Sequence, residues 1–114
     1  MDERLEKALE FSNFMVTIDN QKRALREKFY QDAMMYINGG QFLITKELIS
    51  FCNAMLTKCQ KTIVLIDDND MPIEINDLQE FFDSIIEKYV LATNSYLNDY
   101  KVLRSKRSVE FVIS

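Results

Sequence analysis

Apolar positions in the first third of the chain recur at Phe11, Phe14 or Met15, Ile18, Leu25, Phe29, Ala33 and Tyr36 or Ile37. Steps of three, four and seven predict a long amphipathic helix over residues 1–37. Its weakest point is Thr17–Gln21, where β-branched and cap-type residues cluster. One helix, or two with a bend near Asp19, both fit the pattern, and the reading favours one. Asn38-Gly39-Gly40 is expected to end it with a left-handed cap.

Residues 38–76 then read as strand, helix and hairpin. Gln41–Thr45 has strand character, and Thr45 is placed to cap a shorter helix running from Lys46 to about Lys58. Leu48, Ile49, Cys52, Met55, Leu56 and Cys59 form its apolar stripe. Thr62–Ile66 is β-branched, bounded by polar residues and expected at the centre of a sheet. After the polar turn Asp67-Asp68-Asn69-Asp70 comes Ile73–Ile75. Pro72 confines that strand to an edge, since proline cannot donate to a ladder.

Residues 77–107 carry the strongest pattern. Leu78, Phe82, Ile85, Tyr89, Ala92, Tyr96, Tyr100 and Leu103 form nearly a heptad seam with no Gly or Pro. Asn76 or Asp77 caps this helix, and Glu80 is spaced for a capping box with Asp77. From Leu78 to Arg104 it would be about 40 Å long at 1.5 Å per residue. A domain of this size has a radius of gyration of about 13 Å, so the companion must be the N-terminal helix, within one chain, between chains, or both. Tyr89, Tyr96, Tyr100 and Leu103 are therefore candidate self-contact residues. Termini usually turn polar, yet residues 108–114 are largely apolar. Phe111, Val112 and Ile113 become candidate docking residues, for the chain's own sheet or for a partner. The expected fold is α+β and mainly helical, a single domain in which two long helices and one short helix pack on an antiparallel sheet of about three strands.

Composition narrows the chemistry. The 114 residues are 47% hydrophobic and 28% charged, a globular balance. There is no histidine, which removes the commonest general base, the usual zinc ligand and any Ser-His or Cys-His pair. No catalytic, metal or cofactor residues are assigned, and the chain is not expected to be an enzyme. Asp68 and Asp70 open like a calcium loop. Its later positions fall on Pro72, Ile73 and Gln79, where an EF-hand needs a ligand, Gly and Glu. Gly39-Gly40 lacks P-loop spacing. Cys52 and Cys59, seven apart on one helix, sit beyond disulfide reach and are expected to be reduced core residues.

The net charge of −4 argues against a nucleic-acid partner. Eight carboxylates and no Lys or Arg lie between Asp67 and Glu87, whereas two stretches are basic: Lys22, Arg23, Arg26 and Lys28 with one Glu27 between them, and Lys101, Arg104, Lys106 and Arg107. Such polarity suits antiparallel or head-to-tail self-contact, and solvated helix faces have the same look. The acidic, amphipathic start MDERLEKALE does not read as a signal peptide, and no apolar run approaches bilayer length. No membrane association is expected.

From Tyr36 onward the order of features resembles a small domain of unknown function found in tail-fibre and tail-associated proteins of tailed bacteriophages. Asn38-Gly39-Gly40-Gln41-Phe42, Thr62–Ile66, Asp67–Asp70, Ile73–Ile75 and Asp77-Leu78 opening a Tyr-rich helix carry the resemblance. The Lys22–Tyr36 helix also has a counterpart there. The chain lacks the Trp and the hairpin Gly usual in that domain. The whole chain is also similar to short uncharacterised proteins of marine T-even-like phages. The resemblance implies a non-catalytic structural or assembly protein of a phage, a homo-oligomer docking other phage proteins, in the host cytoplasm or in the virion. The alternative is a regulatory adaptor that binds polymerase or replication machinery through its apolar C-terminal end.

Overall fold

The computed structural model describes the backbone of residues 2–113 and the side chains of residues 2–105. Three helices and two hairpins follow one another: α1 (Glu3–Asp32), β1 (Met34–Ile37), β2 (Gly40–Leu43), α2 (Lys46–Thr57), β3 (Ile63–Ile66), β4 (Pro72–Ile75) and α3 (Leu78–Ile113). The expected class, α+β and mainly helical with two long helices and one short, is the class observed. Among the described residues the strands number four and divide between two antiparallel two-stranded sheets, β1–β2 and β3–β4, where one sheet of about three strands was expected.

The fourth strand comes from the end of the first predicted helix. Helix α1 is continuous for 30 residues, with Asp2 accepting from the Arg4 amide at its start, but it stops at Asp32. Met34–Ile37 instead pairs with Gly40–Leu43 in a register that sets Ile37 opposite Gly40. Asn38 and Gly39, both at positive φ (51° and 80°), form the two-residue turn between them. That is the type I′ geometry whose twist matches paired strands, so Asn-Gly closes a hairpin where a helix cap was expected.

Strand β3 also departs from expectation. Leu65 points inward, while Val64 and Ile66 are 61% and 62% exposed. Among the described residues β3 pairs with β4 alone, so it is not central, and its alternate residues face outward.

Helix α2 begins where the sequence places it, with the Thr45 hydroxyl accepting from the Leu48 amide at 3.1 Å. It ends in a Schellman motif: the Gln60 amide donates to Met55 O and the Cys59 amide to Leu56 O. Cys59 holds the left-handed position at φ 62° and is exposed, so only Cys52 belongs to the core. Asp77 caps α3, accepting from the Glu80 amide at 3.1 Å.

The hairpins, α2 and the first turns of α3 make a head with one apolar core, in which Phe42, Cys52, Ile75, Leu78, Phe81 and Ile85 are among the most buried side chains. The seam assigned Phe82 to this core; Phe81 enters it fully and packs edge-on to Phe42, with Phe82 half-buried. Gly40 lets the hairpins meet, since a Cβ there would lie 2.6 Å from Ile73 Cγ1.

Polar bridges complete the head. The Asn38 amide side chain donates to Glu74 O. The outward backbone groups of β2 are taken by the turn between β3 and β4. The Gln41 amide donates to Asp67 Oδ2, the Leu43 amide to Asp68 Oδ2, and the Asp68 amide to Gln41 O, all at 2.9–3.0 Å. Asp67, only 5% exposed, also accepts from the Met71 and Asn69 amides. The Met71 amide is the main reason its carboxyl is held below the usual 3.8; burial opposes this, and the Gln41 and Asn69 amides reinforce it. Asp67–Asp70 is thus the hairpin turn that the failed calcium spacing left as the alternative.

Candidate interaction site

Beyond the head, α1 and α3 continue as a two-helix stalk. At 1.5 Å per residue their 30 and 36 residues span about 45 and 54 Å. The molecule measures 69 × 24 × 18 Å, with a radius of gyration of 20.8 Å. A compact domain of this length would have about 13 Å.

The helices run antiparallel. Phe29 of α1 meets Tyr96 at 5.1 Å and Tyr89 at 6.3 Å between ring centroids. Further out, Ile18 lines a cleft with Lys22, Tyr100 and Leu103. The Arg104 guanidinium lies 5.3 Å from the Tyr100 ring centre. Lys28 Nζ contacts Asp99 Oδ2 at 2.7 Å and Ser95 Oγ at 3.4 Å. That hydrogen bond with Asp99 raises the Lys28 pKa above its ordinary 10.5.

Of the residues singled out for contact, Tyr89, Tyr96 and Tyr100 are half-buried and Leu103 is buried, all on the side of α3 that faces α1 of the same chain. Phe111, Val112 and Ile113 belong to the last turns of α3, and their side chains lie outside the described residues.

The apolar positions that face outward are different ones. On α3, Val90, Leu91, Leu97 and Val102 are 47–63% exposed. At 100° per residue Val90, Leu91 and Leu97 fall on the face turned away from α1, with Val102 at its edge beside the groove between the helices. On α1, Leu5, Leu9 and Val16 are about half exposed. The seam reading missed both sets because it followed a single stripe. Their signal is a second, shorter apolar spacing half a turn round each helix.

Concave features give less chemistry. One groove runs along the stalk past Gln21, Leu25, Lys28, Asp99 and Val102; another lies between Leu56, Cys59, Lys61 and Asp77. Burial pushes the Cys52 thiol up to about 11, which keeps it protonated and inert near neutral pH. Among the described residues, no three Asp, Glu or Cys side chains converge on a metal-sized space, and no helix is long and apolar enough to cross a membrane. No family model, curated protein or solved structure matches the chain.

Proposed function

We propose that this chain is a non-catalytic structural or assembly protein, of the kind carried by tailed bacteriophages, that works by self-association and by docking other proteins. The observation that carries the reading is the stalk. It projects from a small head and keeps medium-sized apolar side chains on its outer faces, where one chain cannot cover them. Scattered surface hydrophobics are ordinary; apolar rows along an extended helix pair suit packing against further helices. The phage context rests on the resemblance of residues 36–78 to tail-associated domains.

Sedimentation over a wide concentration range tests self-association. A defined oligomer at micromolar concentration is expected. A monomer that persists near millimolar concentration overturns the reading, and one that captures purified polymerase supports the adaptor instead. The particle role predicts that mass spectrometry finds the chain in purified virions or in assembly intermediates.

A further inference from the structure

We propose that the outward face of α3 is a two-fold, antiparallel self-association surface whose occupant is a second copy of this chain. The inference rests on the self-association reading and gives it a place on the molecule.

The face reads Glu87, Leu91, Asn94, Leu97, Lys101 in steps of four, three, three and four. All five are exposed, with Val90 and Val102 on the flanks. Three-four spacing is that of a helix–helix seam. Its chemistry runs acid, apolar, polar, apolar, base, and the steps are the same in either direction from Asn94.

A second α3 laid antiparallel about an axis near Asn94 therefore sets Leu91 against Leu97 of the other copy. Glu87 comes opposite Lys101, and symmetry makes that pair twice. Glu80 and Asp83, exposed further towards the head, then lie towards the basic end of the other helix, around Arg104. A parallel arrangement would oppose Glu87 to Glu87 and Lys101 to Lys101, which like-charge repulsion disfavours. Asn94 would meet its own copy at the axis, and one polar residue in an apolar seam fixes register. The outward rows of α1 and of β3 carry no such self-complementary charge order.

The test is a charge exchange on the full chain, read by sedimentation equilibrium at low salt. Glu87→Lys and Lys101→Glu should each weaken the dimer by about tenfold or more, because two attractive pairs become repulsive. The double variant should associate within about threefold of the wild type. An equimolar mixture of the two single variants should form heterodimers more tightly than either forms homodimers. Leu97→Gln, with unchanged far-ultraviolet circular dichroism, should also weaken the dimer. Single variants and Leu97→Gln that leave the oligomer unchanged overturn the α3 surface while self-association stands. A monomeric wild type overturns both.

Discussion

The head and the stalk use the same kinds of residue to opposite ends. In the head, every element contributes to one apolar core, and the hairpins are tied together by four hydrogen bonds from Asn38, Gln41, Leu43 and Asp68. Among the described side chains of the stalk beyond Phe29, Ile18 and Leu103 are buried but lie outside that core, Tyr96 and Tyr100 are half-buried, and Lys28 and Asp99 form an exposed ion pair. A large core makes a region cooperative; a thin one leaves its stability local. The head closes on its own core, and the stalk leaves apolar rows open on its outer faces.

Truncation gives the sharpest contrast. Phe81→Ala should cost about 3–5 kcal/mol of unfolding free energy and lower the whole transition, because it empties the centre of the head. Ile18→Ala should cost about 2 kcal/mol, the low end for such a change, and act mainly on amide exchange in the stalk. Equal losses in chemical denaturation would erase the distinction between the two regions. Next comes Gly40→Ala, expected to cost about 1–3 kcal/mol by forcing Ile73 aside. A thermal melt no lower than the wild type would mean that the hairpins have room to separate.

Acid should also act on the head. Asp67 titrates below its ordinary value of 3.8, so its contribution is present above that pH and is lost as pH falls through the lower folded-state value. Asp67→Asn should lower the melting temperature at pH 7, and the difference from wild type should shrink below about pH 3.8. A constant difference across that window would show that shape, and not charge, is what the site needs. The smallest effect runs the other way. Cys59→Gly relieves a left-handed position and should stabilise by about 0.5–1 kcal/mol. It should leave the stalk's amide exchange unchanged.

Legibility followed how local each signal is. Helix α2 with its Thr45 cap, the Asp77 cap and the Asp67–Asp70 turn were readable because each depends on residues within a few positions. The β1–β2 hairpin was hidden because Ala33, Tyr36 and Ile37 continue the helical spacing of α1. Only Asn38-Gly39 signals the reversal, and the same pair also reads as a helix end. The seam of α3 was legible as a pattern, but periodicity does not say which chain covers it. Tyr89 and Tyr96 lie against Phe29 of their own chain. The outward row from Glu87 to Lys101 needed the structure to show that α1 takes the other side.

The carboxylates of Asp67 and Asp68 have one more consequence. They occupy the backbone donors of β2 that a visiting strand would otherwise pair with, as two side-chain stand-ins for a neighbour's carbonyls. Strand donation and runaway polymerisation are a standing hazard for small sheets that meet many copies of themselves at high local concentration. Along β2 that route is shut from within the chain, so crowding can bring copies together without knitting their sheets into a fibre there.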